Sequence, residues 1–283
     1  MIFATMRYIL LAIVLVFVLS SNNARANNKL TLLLDWFVNP DHAPLYVAKQ
    51  KGYFKNQGID LQMIAPADPN DPPKLVAAGK ADIAISYQPQ LHVHVSEGLP
   101  LKRFGTLVAT PLNTLLVLAD GPINSISDLK GRKVGYSVGG FEDAILKAML
   151  APYNLSLKDI TLINVNFSLS PALLSGQVDA VIGAYRNFEL NQLKIEGENG
   201  KAFFVEEEGV PAYDELILIA HSENMDTKIL RRFLNALEQG VQYLVNHPKE
   251  SWSLFIKEHP QLNDKLNQLA WYDTLPRFAL RPA

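Results

Sequence analysis

Four short clusters in this chain carry side chains able to recognise a ligand. Asp35-Trp36 closes an apolar run, with Asn39 and His42 just beyond it. Ser86-Tyr87-Gln88 closes a second run, Tyr136-Ser137-Val138-Gly139-Gly140 a third, and Tyr185-Arg186-Asn187-Phe188-Glu189 a fourth. The groups on offer are rings, amides, hydroxyls and carboxylates, and their chemistry is stacking and hydrogen bonding. Trp36 stands at the lip of a loop, where a core residue is out of place and a platform for a flat ligand is in place. Bond-making chemistry is poorly served. The chain has no cysteine, which removes thiolate catalysis, disulfides, cysteine metal sites and an acylated lipoprotein cysteine. H-E-x-x-H does not occur. His92 and His94 sit two apart, so on a helix they point to different sides and no metal is expected there. Gly139-Gly140 precedes a helix start that could cradle an anion. Glu142 and Asp143 occupy that first turn, complement the helix dipole and would repel a phosphate.

These clusters need elements to hold them. Leu30–Leu34, Ile59–Ile64, Ile83–Ser86, Lys133–Tyr136, Thr161–Val165, Val178–Gly183 and Leu216–Ala220 read as short strands. Ala43–Lys51, Pro72–Ala78, Phe141–Leu150 and Pro171–Ser175 read as the helices between them. Asp226–Asn246, Lys249–Glu258 and Asn263–Trp271 form a helical tail. Short strands alternating with helices predict an α/β fold, each sheet mixed but mostly parallel and flanked by helices.

One near-repeat organises the rest. Leu75–Ser86 reads LVAAGKADIAIS and Leu173–Gly183 reads LLSGQVDAVIG. Each has a helix end, a glycine stop, a polar residue, an aspartate and a buried strand. Roughly a hundred residues separate the copies, too far for a solenoid. Two similar lobes explain them, and the ligand then belongs beyond the carboxyl ends of the strands. All four clusters lie at such ends.

With 26 basic and 28 acidic residues, the chain shows no electrostatic footprint for nucleic acid or an anionic membrane. The N-terminus reads as a signal peptide over residues 1–26. Arg7 precedes the apolar run Tyr8–Leu19, which is too short to span a bilayer, and Ala24-Arg25-Ala26 is an A-x-A cleavage pattern. The expected product is a soluble, monomeric periplasmic protein.

The stretch from Asp35 to Phe54, D-W-x-x-N-x-x-H-x-P-x-Y-x-A-x-x-x-G-Y-F, resembles the opening motif of a known family. That family contains bacterial thiamine-pyrimidine-precursor binding proteins and eukaryotic thiamine-pyrimidine synthases. The likeness continues through Gly79–Asp82, Ser127–Tyr136, Gly176–Asp179 and Gly209–Asp214. It implies a two-lobed periplasmic-binding-protein fold of type II, with domain I at 27–115 and 216–283 and domain II at 116–215. Members of that family are expected to run on through another helical segment, whereas this chain closes at Arg281-Pro282-Ala283. The synthases hold pyridoxal phosphate on a lysine, consume a histidine and carry a cysteine-rich motif. Here those positions fall on Ser86, on Gln90 and near Val210–Asp214. A Schiff base needs an amine, so no enzyme and no cofactor are expected.

The resemblance implies a neutral aminopyrimidine as ligand and an ABC permease as partner. Trp36 and Tyr185 would stack on the ring, and Glu189, by match to the family's tyrosine–asparagine–glutamate stretch, would accept from its amine. Asn39, Asn187, Tyr87 and Gln88 are candidate donors to ring nitrogens. His42, Ser86, Gly139, Tyr213 and Asp214 complete the expected ligand-binding set. Another flat heterocycle such as riboflavin, or a sulfonate or nitrate, is the alternative.

Overall fold

The computed structural model describes residues 28–283. The signal peptide expected over 1–26 lies outside the described residues. The elements in chain order are β1 (Asn28–Leu33), α1 (Ala43–Gln50), α2 (Tyr53–Asn56), β2 (Ile59–Ile64), α3 (Pro72–Ala77), β3 (Ile83–Ser86), α4 (Gln88–Ser96) and β4 (Leu101–Val108). Next come β5 (Asn113–Leu118), β6 (Lys133–Tyr136), α5 (Phe141–Leu150), β7 (Thr161–Asn164), α6 (Leu169–Leu174), β8 (Ala180–Tyr185), α7 (Glu189–Ile195) and β9 (Gly200–Phe204). The chain finishes with β10 (Leu216–His221), α8 (Thr227–Asn246), α9 (Pro248–Glu258) and α10 (Lys265–Thr274).

Two five-stranded sheets result, in the orders β2-β1-β3-β10-β4 and β7-β6-β8-β5-β9. They share one plan. Three strands run parallel, and the fourth in line runs antiparallel to both its neighbours. That antiparallel strand is always the one arriving from the other lobe, β10 in the first sheet and β5 in the second. It docks beside the strand that leaves, β4 or β9. The near-repeat is the signature of this plan. Gly79 (φ 67°) and Gly176 (φ 70°) take the left-handed conformation that ends α3 and the helix α6. Asp82 Oδ2 accepts from Thr31 N at 2.7 Å in β1, and Asp179 Oδ2 accepts from Lys133 N at 2.8 Å in β6. Each aspartate pins its incoming strand to the centre of its sheet.

The crossovers fall at 109–112 and 205–215. Residues 113–115, assigned from sequence to domain I, therefore sit in the second sheet. Glu215 ties the crossovers together, its Oε2 accepting from Leu112 N at 2.7 Å and Asn113 N at 3.0 Å. The strand expected at Val178–Gly183 runs instead from Ala180 to Tyr185, because Val178 N is still bound to Ala172 O of the preceding helix end.

The helical tail packs on the first lobe. Asp226 caps α8 by accepting from Lys228 N and Ile229 N. Gly240 on α8 lies against α1 so closely that a Cβ would come within 2.6 Å of Ala48 Cβ and Pro44 O. Beyond α10 the chain runs along the outer edge of β4. Phe278 bridges Val108, Ala279 N donates to Leu107 O at 2.9 Å, and Thr106 N donates to Pro282 O at 2.7 Å. That covers an edge strand whose open ladder would otherwise invite another chain.

Candidate functional site

A cleft with about 460 Å³ of empty space, part of it open to solvent, lies between the lobes, at the carboxyl ends of β1, β3, β6 and β8. The first lobe contributes Asp35, Trp36, Asn39, Asp41 and Tyr87. The second contributes Asn113, Ser137, Val138, Phe141, Glu142, Leu169, Gly183, Tyr185, Phe188 and Glu189. Of the residues expected from sequence, Trp36, Asn39, Tyr87, Tyr185 and Glu189 line this cleft.

The lobes meet around it. Trp36 packs edge-on against Phe167 of the second lobe, ring centres 4.6 Å apart, and Phe37 lies 6.1 Å from Phe188. Tyr87 stacks on Phe141 at 4.8 Å. Asn187 Nδ2 donates to Asp41 Oδ1 at 2.7 Å and to Thr274 Oγ1 at 2.7 Å, while that hydroxyl lies 2.8 Å from Asp41 Oδ1. Asn70 accepts from Gly139 N at 2.9 Å and donates to Ser137 O. The structure is thus the closed form.

Several expected ligand contacts do other work. His42 is fully buried; Nε2 lies 2.9 Å from Asp35 Oδ1, and Nδ1 accepts from Asn39 N. With Nδ1 accepting, Nε2 is the donor to Asp35, whose other oxygen accepts from the Tyr87 hydroxyl at 3.0 Å. Asn39 spends its side chain on its own turn, accepting from Asp41 N and donating to Phe37 O. Ser86 Oγ donates to Gln90 Oε1 at 2.7 Å, both buried, and neither lines the cleft. Gln88 Oε1 accepts from Asp214 N, and Asp214 pairs with Arg103, so both side chains tie the second crossover to the first lobe. Tyr213 lines a separate groove with Pro89 and His92. Gly139 and Asn187 join the lobes rather than face the cavity.

The cleft is acidic. Asp35, Asp41, Glu142 and Glu189 line it, and among the described residues no lysine or arginine does. Arg186, the one cation the sequence placed near it, turns away to a two-pronged pair with Glu206 at 2.7 and 2.8 Å. Burial pushes the carboxyl of Glu142 up to about 8, although Ser137 N donates to its Oε2 at 2.8 Å. Burial likewise pushes Glu189 up to about 7, against a donated hydrogen bond from Tyr185 N, and Asp41 to about 6, against the Thr274 hydroxyl. Burial also raises the Tyr87 and Tyr185 hydroxyls well above the usual phenol range, so both stay neutral. Such a lining suits a planar group that brings donors or positive charge, and disfavours anions.

Sequence reasoning missed Asp41, Asn113, Phe141 and Glu142. Asp41 and Glu142 looked like helix-start acids, and only the fold turns them inward. Asn113 precedes an apolar run that reads as β structure once its neighbours are known, but nothing in it marks the asparagine.

A family model described as NMT1/THI5 like matches residues 39–251. A Haemophilus influenzae protein named for thiamine biosynthesis is 57% identical over 258 residues, covering 91% of this chain and 82% of that protein. The formylaminopyrimidine-binding protein of Halalkalibacterium halodurans is 34% identical, covering 92% of this chain and 80% of that protein. The 4-amino-5-hydroxymethyl-2-methylpyrimidine phosphate synthase THI5 of Saccharomyces cerevisiae is 27% identical, over 86% of this chain and 74% of that one. Among solved structures, the alkanesulfonate-binding protein SsuA of Xanthomonas axonopodis pv. citri, bound to MOPS, superposes with a TM-score of 0.70 at 17% identity, covering 90% of this chain and 86% of that one.

Proposed function

Because this chain belongs to the NMT1/THI5-like family and has the periplasmic-binding-protein fold, we propose that it is the exported receptor of an ABC importer for a thiamine-type pyrimidine precursor. The observation that carries this reading is the cleft itself: aromatic faces from both lobes, four carboxylates and no cationic side chain among its lining residues. An aminopyrimidine is flat, offers an exocyclic amine as donor, and can take up a proton. Trp36 and Tyr185 supply stacking faces, and Glu189 accepts from the amine. A ligand bridging both lobes stabilises the closed form by contacts the open form lacks, and the closed form is what the permease engages. In this reading the receptor is a periplasmic monomer with its lobes at 27–112 plus 216–283 and 113–215.

The same lining argues against the sulfonate class bound by the structural neighbour, since an anion would enter among carboxylates with no counter-charge. It argues against synthase chemistry too. The position that resemblance aligns with the synthase lysine is Ser86, buried and hydrogen-bonded to Gln90; neither side chain can form an imine.

Isothermal titration separates these readings. Hydroxymethylpyrimidine or its formylated aminomethyl analogue should bind with micromolar or tighter affinity, and riboflavin and an alkanesulfonate should give no heat. Tight sulfonate binding without pyrimidine binding would sink the proposal.

A further inference from the structure

Trp36 is carried by the first lobe, on the bend that follows β1, yet it packs into the second. Its indole lies against a hydrophobic cluster built around Leu116, Val165, Leu169, Leu173 and Val181, and every other member of that cluster among the described residues belongs to the second lobe. A lobe that swings open takes its own side chains with it. In the receptor reading, this ring is therefore drawn out of the second lobe whenever the cleft opens.

What meets it there is Phe167. The indole stands edge-on to that ring, centres 4.6 Å apart and planes at 67°, a favoured geometry for an aromatic pair. Trp36 lines the cavity and Phe167 does not, so Phe167 reaches the ligand only through the indole. The loop that presents Phe167 is braced from within its own lobe. Asn166 takes the left-handed conformation (φ 50°), Asn164 Oδ1 accepts from Asn166 N at 2.8 Å, and the Ser137 hydroxyl donates to Asn166 O. On the first lobe, the aromatic neighbour of Trp36 is Phe37, with ring centres 5.5 Å apart. Phe37 is itself 40% exposed and leans on Phe167 and Phe188 of the second lobe, at 6.2 and 6.1 Å. The fixed wall is thus on the second lobe and the travelling ring on the first.

We propose that Phe167 is a positioning residue for Trp36: it receives the indole when the lobes close and sets the angle at which that ring meets the ligand, so that the two-sided stacking platform exists only in the closed receptor. This rests on the pyrimidine-receptor reading above and adds how one of its two stacking faces is assembled. The open protein offers an incoming ring the Tyr185 face, and the Trp36 face arrives last.

The test is a double-mutant cycle of Trp36→Leu and Phe167→Leu, titrated with 4-amino-5-hydroxymethyl-2-methylpyrimidine. Phe167→Leu keeps apolar bulk and removes the ring, and should weaken binding by about two- to tenfold, the worth of an aromatic pair. In the Trp36→Leu background the same change should cost less than about twofold, because no indole is left to position. Phe167→Tyr restores the ring and should restore the affinity. Fluorine NMR of the full chain labelled with 5-fluorotryptophan supplies a second readout, the Trp36 signal being the one lost in Trp36→Leu. At saturation with the probe that signal should differ between wild type and Phe167→Leu, while those of Trp252 and Trp271, which pack on each other in the helical tail, should not. Phe167→Met takes the place of the leucine variant if the latter does not fold. Equal losses in the two backgrounds would mean that Phe167 acts without Trp36, and the proposal fails while the receptor reading stands. An unchanged Trp36 signal in Phe167→Leu at saturation overturns it in the same way. A wild-type protein that does not bind the probe overturns both.

Discussion

Asn187 was expected to touch the ligand, yet its amide joins the lobes, and this makes a sharp prediction. Asn187→Ala removes the bonds to Asp41 Oδ1 and Thr274 Oγ1, each 2.7 Å long. A hydrogen bond to a charged partner contributes ~1.5–3 kcal/mol. Two features pull the value to the low end of that range. Asp41, with its carboxyl pushed up to about 6 by burial, is not fully deprotonated at mildly acidic pH. The Asn187 Oδ1 is buried without a partner, and the substitution relieves that cost. A net shift of about 1.5 kcal/mol in the closing equilibrium is roughly tenfold. In the receptor reading, ligand is held only in the closed form, so the dissociation constant weakens by up to the same factor, reached where the ligand-free protein is mostly open, chiefly through faster release. Stopped-flow release and titration with several pyrimidines read both quantities, and small-angle scattering of the ligand-free variant reads the opening. The defining feature is uniformity, since a residue off the ligand costs every ligand alike. A loss that varies strongly from one pyrimidine to another would refute the latch and return Asn187 to the binding surface.

Four further outcomes follow from the site. In Glu189→Gln, Tyr185 N claims the amide oxygen in place of Oε2, which turns the NH₂ toward the cleft; amine-bearing ligands should lose roughly ten- to hundredfold, as the loss of a hydrogen bond to a charged group implies, and a des-amino analogue should be nearly unaffected by titration calorimetry. Trp36→Ala should weaken both ligands by removing one stacking face, with aromatic pairing worth ~0.5–1.5 kcal/mol beyond burial. For Glu142 the folded carboxyl, at about 8, holds its proton more tightly than the ordinary value of 4.5, so its contribution to stability is full below 4.5 and is lost as pH rises to about 8; thermal melts should therefore fall across that window and flatten in Glu142→Gln. Gly183→Ala should destabilise by more than ~1 kcal/mol, since φ 91° disfavours any side chain and the methyl would collide with Glu142; a melt within 1 °C of wild type would contradict the geometry.

The α/β class, the two lobes and the strand-end location of the cleft were legible in the sequence because they rest on local signals. The glycine–aspartate near-repeat is the clearest case: its glycines end helices and its aspartates pin strands, and both jobs are done within a few residues of sequence or at one neighbouring strand. What was not legible depends on distant pairing. Leu101–Val108 is broken by Lys102, Arg103 and Gly105, and becomes a strand only because β10 and the C-terminal segment flank it. Tyr87 looked like a ligand donor, but Asp35 takes its hydroxyl and Phe141 takes its ring. Glu142 and Asp143 are adjacent acids in one helical turn, and only the placement of β8 decides which of them turns into the cleft.

Glu215 gives the hinge its mechanics. Two separate linkers would let the lobes twist, slide and bend against one another. Here one carboxylate, set in the second crossover, holds the backbone of the first through Leu112 and Asn113. In the receptor reading, both connections turn together as a single axle, which narrows the motion left to the lobes. The same axle ends at Asn113, so a residue that lines the cleft is also an end of the pivot. In the receptor reading proposed above, occupancy of the cavity and the angle between the lobes meet at one point of the backbone, so a permease that engages the closed form reads an angle with little intermediate spread.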